Sequence, residues 1–468
     1  MKTFTIAVLL LIVQAAYPQC YNKVQTNGQA TIGLHDGSLW AWGLNSSGTL
    51  GLGPGSFSTI FPRTQIGTAD DWSATYCITT HVLALKNDGR LWAWGANLHG
   101  QCGNGTSGGQ NYVLTPQQVG ADSWIAVAAG SDHSLAIKAN GTLWAWGLND
   151  RGQLGNGNQQ DPDQLVPLQI GADTDWTKVF SYGKTSFAIK ADGTLWSWGD
   201  DGFNTLLGYN ATVEESKSPH QVGTAADWST VAPYYFSVMA TKNDGSLWVW
   251  GRNSDGAYTA YYGNGETDTN DYANNPTRIG NQSDWQSVAT SQYNFRALKT
   301  DGTIWGWGRN TNGVLGDGTA VDRYVPVQIG TASDWIQLSA SGINTFALNA
   351  SHSLYHWGFI YGVGSLSTPS LNGAACTELG TANVDQLNTS VVFPNPTHGN
   401  TTIRMGNGAN TEIDISVSDM LGQILLKRKS FIGTDREIQL DLGGYASGLY
   451  LLTIRSNNQY YQTKINKI

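Results

Sequence analysis

The tightest constraint on this chain is a Leu-Trp-x-Trp-Gly motif that returns at a fixed interval. Its first tryptophan stands at Trp40, Trp92, Trp144, Trp196 and Trp248, 52 residues apart each time. Trp305 continues the series, and Tyr355 takes the same place in a seventh copy. A second motif, Asp-Trp or Ser-Trp, supplies Trp72, Trp124, Trp176, Trp228, Trp285 and Trp335, each 20 residues before the next Trp-x-Trp motif. Self-similarity of this kind marks a repeat architecture, in which a unit buries its apolar face against its neighbours. Because the 20-residue stretch never changes length, insertions fall in the other arm of the unit.

Within one unit, His133-Ser-Leu-Ala-Ile-Lys138 alternates apolar and polar residues at period two, as a half-buried strand does. Asn140-Gly141 supplies the positive φ angles of a tight hairpin, and Thr142 to Gly147 returns as the partner strand. Asp36-Gly37, Asp88-Gly89, Asp192-Gly193, Asp244-Gly245 and Asp301-Gly302 repeat the turn. A glycine-rich loop, a strand of the Val166 to Gly171 type and the strand opening on Asp-Trp complete the unit. Four short strands in seven units predict an all-β chain, a seven-bladed β-propeller. With 57 glycines and only 13% charged residues, the chain suits tight turns better than long amphipathic helices.

Linked in register, Asp-Gly-x-Leu-Trp-x-Trp-Gly-x-Asn-x-x-Gly-Gln-Leu-Gly, a proline and a tryptophan strand resemble the regulator of chromosome condensation repeat. The resemblance covers residues 20–379. Kelch repeats have a similar period but need a repeated Gly-Gly doublet; here Gly108-Gly109 and Gly443-Gly444 stand isolated.

All 19 tryptophans occupy repeat positions, so they are read as packing rather than as one binding platform. Each fully buried aromatic contributes roughly 1.5–3 kcal/mol. His81 and His133 hold one equivalent position, taken by Thr185, Ser237, Asn294 and Asn344 elsewhere. A hydrogen-bonding role in the strand is therefore expected of them, not a metal or catalytic one.

Cys20 lies 20 residues before Trp40, where the first unit lacks its tryptophan, and Cys376 follows the seventh unit. In a closed ring those places coincide, which predicts a Cys20–Cys376 disulfide worth roughly 4 kcal/mol or more on the chain-entropy model. Cys77 and Cys102 fall in one unit and stand open between a second bridge and two buried thiols.

The ends of the chain have other tasks. Residues 1–19 follow the order of a secretory signal peptide, with one lysine, an apolar run from Phe4 to Val13 and small residues. A polar linker, 380–391, precedes a segment, 392–468, of alternating strands that predicts a small β-sandwich. Its Phe393-Pro-Asn-Pro start, Asp419 to Gln423, Gly448-Leu-Tyr450 and closing Lys464 and Lys467 resemble the type A sorting domain of type IX secretion cargo. The resemblance implies recognition by the type IX export machinery of a Gram-negative bacterium and delivery outside the cell or to its surface.

Between Cys20 and Val391 the chain has 17 Lys and Arg against 29 Asp and Glu, a net of −12. An acidic, exported surface does not suit a phosphate backbone, so the chromatin binding and nucleotide exchange of the family's nuclear members are not expected. No nucleotide loop, nucleophile elbow or zinc motif occurs, and neither a cofactor nor a transmembrane segment in the mature chain is expected. Asp161-Pro162-Asp163 and the segment 266–271 are acidic enough to raise calcium, but solvated turns are the ordinary reading.

What breaks the repeat is more informative. The residues six to eight after the Asp-Trp tryptophan differ in each unit, with Tyr182, Tyr234, Tyr235, Gln292 and Tyr293 among them. The fifth unit carries the longest insertion, with Tyr258, Tyr261, Tyr262 and Tyr272. Tyrosine beside Gly, Ser and Asn is a recognition-loop composition. These nine residues form the candidate binding face of a monomeric protein that recognises an extracellular protein. A lectin-like module engaging glycans is the alternative, and a lyase or hydrolase the remote one.

Overall fold

The computed structural model describes residues 20–467 except 55–59, 78–79, 110–111, 159–161, 202–204, 210–214, 254–261, 266–271, 292, 361–363, 374–375, 377–390, 394–396, 405–410, 420–423, 433–436, 447 and 457–458. The signal segment 1–19 and linker residues 380–390 therefore lie outside the described residues, and the last residue assigned to the linker, Val391, instead opens a strand.

Blade one is an antiparallel meander of Lys23–Thr26, Ala30–His35, Ser38–Leu44 and Ile60–Gln65. Blades four to seven repeat it as separate four-stranded sheets. Blades two and three share one seven-stranded sheet, because Tyr112–Ala129 runs unbroken for 18 residues. Its first part is the outer strand of blade two, paired with Arg90–Ala96. Its second part is the inner strand of blade three, paired with His133–Lys138. The seven blades predicted from the repeat are all present.

The core runs around the ring between blades. One buried cluster joins Leu135 and Trp146's neighbour Ala145 in blade three to Trp198 in blade four; another joins Phe187 to Trp250, and a third Met239 to Trp307. The second tryptophan of each motif is the main joint. Trp146 Nε1 donates to the Gln101 carbonyl of the preceding blade at 2.9 Å, and Trp198, Trp250 and Trp357 do the same to Gln153, Leu206 and Leu315. A Cβ on Gly103 would stand 2.8 Å from Trp146 Nε1, so the loop glycine is needed for close approach as well as for its φ of 68°. The hairpin glycine has the same double duty. Gly141 adopts φ 78°, and a Cβ there would come within 2.0 Å of the Thr174 carbonyl as the next blade begins.

The first tryptophans grip a cation supplied by the chain itself. Lys190 Nζ sits 4.8 Å from the Trp176 ring and 5.0 Å from the Trp196 ring, and pairs with Asp173 at 2.7 Å. Lys86, Lys138, Lys242 and Lys299 repeat the arrangement in blades two, three, five and six. The long stem covers indole surface while the ammonium reaches the carboxylate. Lys190→Met keeps the stem and removes the charge. It is expected to lower the unfolding free energy by about 1–2 kcal/mol, read as a fall in urea midpoint with an unchanged slope.

The ring closes where expected. Cys20 and Cys376 form a disulfide with Cα atoms 4.9 Å apart. Beside it Tyr21 N donates to His352 O, Gln337 bonds both the N–H and the carbonyl of Val24, and Asn344 Nδ2 donates to Gly28 O. Cys77 and Cys102 are not bridged. Both are free and buried in the core near blade two, and Cys102 Sγ donates to the Ala96 carbonyl. Burial pushes the Cys77 thiol up to about 12 and the Cys102 thiol higher still, so neither forms a nucleophilic thiolate.

The C-terminal segment forms a three-stranded sheet (Val391–Phe393, Asn400–Arg404, Glu437–Asp441) and a four-stranded sheet ordered Ile424–Ile432, Thr411–Asp419, Gly448–Ser456, Gln459–Lys467. Ile403, Ile438 and Leu440 from the first sheet share a core with Ile413, Ile415, Leu452 and Ile454 from the second, giving the expected sandwich. Lys467, read from sequence as part of a sorting signature, is buried, and its ammonium donates to the Gly443 and Tyr445 carbonyls.

Candidate functional site

Each inner strand starts at its tryptophan beside the preceding blade's hairpin, as Trp176 N bonds to Gly141 O. It ends in a turn at the opposite face. There the glycine-rich loops also gather, since Asp200 N bonds to Lys184 O and Leu148 N to Asp132 O. The described inner-strand turns, with Tyr182, Tyr234, Tyr235 and Tyr293, therefore lie on one face, around the mouth of the ring.

In blades four and seven the middle of this turn is Gly183 and Gly342, with φ of 60° and 59°. In blade five the equivalent residue is Tyr235, held at φ 24°. A non-glycine residue in this region costs about 1–2 kcal/mol. The residue remains 52% exposed, so burial does not offset that cost. Around it the aromatic residues are in contact. The Tyr182 and Tyr234 rings have centroids 4.1 Å apart, Tyr182 and Tyr235 5.9 Å, Tyr234 and Tyr235 5.7 Å, and Tyr235 and Phe236 5.4 Å. Burial, then the neighbouring Tyr234 and Tyr235, holds the Tyr182 hydroxyl protonated far above its ordinary range. These rings form one aromatic shelf spanning blades four and five.

The other candidates divide. Tyr293, half-buried at the corresponding turn of blade six, lies under the Arg309 guanidinium at 5.6 Å. Tyr272 opens the outer strand of blade five and is 61% exposed. Tyr258, Tyr261 and Gln292 lie outside the described residues. Tyr262 is a correction: it is buried, its hydroxyl donates to the Gly251 carbonyl at 2.6 Å and accepts from Ala273 N at 2.8 Å. It fills the place of Leu154 in blade three, and Tyr262-Gly263-Asn264-Gly265 repeats the register of Leu154-Gly155-Asn156-Gly157. That match was the available signal, obscured by the long insertion before it.

Sequence reasoning missed the charge beside the shelf. Lys184, two residues from Tyr182, pairs with Asp150 at 2.5 Å. Asp163, the described carboxylate of its acidic loop, pairs with His99 at 2.8 Å. Asp132 accepts from Gln101 Nε2 at 3.2 Å. Burial pushes the Asp132 carboxyl up, while His99 and Lys184 pull it down and Asp150 and Asp163 oppose them. All five groups thus share one electrostatic neighbourhood. Among the described residues no three His, Cys, Asp or Glu are grouped to hold a metal ion.

His81 and His133 are wholly buried and join blades. His81 Nε2 meets Ser134 Oγ at 2.8 Å and His133 Nε2 meets Ser186 Oγ at 2.9 Å. Each serine donates its own proton to a carbonyl, Gln101 or Gln153, so each imidazole donates from Nε2. Burial lowers both to about 3. Without access to solvent these histidine–serine pairs are structural.

Comparison with known proteins agrees with this architecture. The regulator of chromosome condensation (RCC1) repeat matches residues 88–137, 140–189 and 301–348, with a related repeat description at 124–153. The secretion system C-terminal sorting domain matches residues 391–467. The ultraviolet-B receptor UVR8 of Arabidopsis thaliana is 28% identical over 300 residues, 62% of this chain and 64% of the receptor. The human E3 ubiquitin-protein ligase HERC2 is 27% identical over 296 residues, 61% of this chain but 6% of the ligase. The chain therefore spans just under two thirds of the first relative and a small part of the second. Among solved structures, human WBSCR16 superposes with a TM-score of 0.60 at 21% identity, over 70% of this chain and 87% of that one. Yeast RCC1 superposes with a TM-score of 0.57 at 21% identity, over 68% and 78%. These structural likenesses establish the fold. A type IX sorting domain directs its carrier to the export machinery, placing the protein outside the cell or on its surface. The chain is an RCC1-repeat β-propeller that ends in a secretion system C-terminal sorting domain.

Proposed function

We propose that this exported propeller is a binding protein whose guest, another protein, docks on the face carrying the inner-strand turns, against the shelf of Tyr182, Tyr234 and Tyr235. One observation carries the reading: Tyr235 occupies a left-handed position that is glycine in two sister turns, yet the residue stays half-exposed. Strain retained without burial points to use of the side chain. Supporting it, tyrosine offers rigid contact area with few rotors to immobilise. UVR8 is named a receptor, which is in keeping with a recognition role for such propellers but assigns no partner here.

Tyr235→Gly restores the residue of the sister turns, so its stability is expected to stay within about 1 kcal/mol of wild type. The full secreted chain is expected to capture a partner from the surrounding medium or cell surfaces. Capture should fall at least five-fold for Tyr235→Gly and remain for Ile125→Ser, at the opposite end of the inner strands. Equal capture by wild type and Tyr235→Gly rejects this face.

A further inference from the structure

The surroundings of the shelf indicate the chemistry of its guest, an inference that rests on the binding role proposed above. Two features adjoin through the turn Tyr182-Gly183-Lys184. On one side lie the aromatic rings, with Tyr235 half-exposed. On the other lie Asp132, Asp150 and Asp163, three carboxylates whose basic neighbours are Lys184, Arg151 and His99, with Arg151 also turned toward Glu215. Asp150 keeps 45% of its side chain exposed and Asp163 30%, so both remain within reach of an incoming group. The wider propeller region carries the same sign, 17 basic against 29 acidic residues.

An exposed aromatic face attracts cations through its quadrupole, and arginine also stacks on it through its planar guanidinium. Carboxylates nearby favour the same guest and steer its approach. An uncharged glycan would use the rings and gain little from the carboxylates. A nucleic acid or other polyanion would be repelled.

We infer that the mouth of the propeller receives a basic, extended protein segment, with an arginine side chain lying on the Tyr235 shelf and a second basic residue reaching the Asp132–Asp150–Asp163 arc. The two features are bridged by contacting residues: Tyr235 to Tyr182 between rings, Tyr182 to Lys184 along the chain, and Lys184 to Asp150 by an ion pair. An extended strand advances about 3.3 Å per residue, so a few residues would separate the two basic side chains.

The test uses the full secreted chain and two fluorescein-labelled octapeptides of alternating residues, arginine–serine and glutamine–serine, followed by fluorescence anisotropy at low and physiological salt. The arginine peptide is expected to bind and the glutamine peptide not to. Tyr235→Gly, which changes no charge, should weaken binding about two- to five-fold. Asp150→Asn with Asp163→Asn should weaken it further and flatten its salt dependence. Arginine-peptide affinity unchanged in Tyr235→Gly, or equal binding of both peptides, overturns the inference. So does a glycan-array signal lost in Tyr235→Gly, which would assign the shelf to carbohydrate. If the peptide result fails while partner capture still depends on Tyr235, the binding role stands and only the basic guest falls. If neither depends on Tyr235, both fall.

Discussion

Replacing Cys20 and Cys376 by serine is expected to lower the unfolding free energy by about 4–6 kcal/mol, the chain-entropy worth of closing so long a loop. The two cysteines are 356 residues apart in sequence, so the bond removes a large share of the unfolded chain's freedom. Every other joint in the ring links blades that follow one another in the chain. The joint between blades seven and one instead links residues more than 300 apart, such as Val24 with Gln337 and Gly28 with Asn344. Its hydrogen bonds re-form only after that long loop closes again. Denaturant unfolding of the serine variant, and of wild type with and without reductant, reads the difference. A midpoint insensitive to reductant, with the bond shown to be broken, would reject the role given to it.

Acid should act almost as strongly. His81 and His133 are held neutral by burial at about 3, whereas an unfolded histidine titrates near 6.5. The unfolded chain then binds more protons, and stability rises with pH across that window. The contribution is complete above about pH 6.5 and is lost as pH falls toward 3. At pH 5 each histidine costs about 2 kcal/mol, roughly 4 together. His356, lowered to about 4 by burial and then by Arg63, acts in the same sense. Asp201 acts in the opposite sense, because burial raises its carboxyl to about 6 and its ionised form weakens the fold as pH rises. The discriminating measurement is therefore a comparison across pH. His81→Asn with His133→Asn places in blades two and three the residue that blades six and seven carry as Asn294 and Asn344. Relative to wild type it should gain about 4 kcal/mol between pH 7 and pH 5. Parallel pH profiles would show that the buried imidazoles do not govern acid stability.

Much of this was legible because the repeat turns local signals into counted ones. One Asp-Gly is weak evidence of a hairpin, but five at fixed register, with Asn140-Gly141 as a sixth turn, define a strand boundary in blades one to six. The closing disulfide followed from the same logic, since Cys20 stands where a tryptophan is missing. What stayed hidden depends on contacts between units. Lys86, Lys138, Lys190, Lys242 and Lys299 also recur in register, but their place between two indoles and a carboxylate appears only once adjacent blades are packed. Composition could not separate Tyr262, which fills a leucine site, from Tyr272, which faces solvent. Nor does any sequence signal show that Tyr235 occupies a left-handed turn, because its sister positions hold serine as well as glycine.

The seam has a mechanical consequence. The sorting domain begins at residue 391, soon after Cys376, so tension applied through the tail enters the propeller beside the crosslink. Without that bond, a pull on the C-terminus would peel the outer strand of blade seven, Gly364–Leu371, from its neighbour one hydrogen bond at a time. With it, the load passes across the bridge to Cys20 and is shared with the inner strand of blade one, Lys23–Thr26, which is held on both sides. The tail can then be gripped or anchored while the ring bears the strain as a closed hoop.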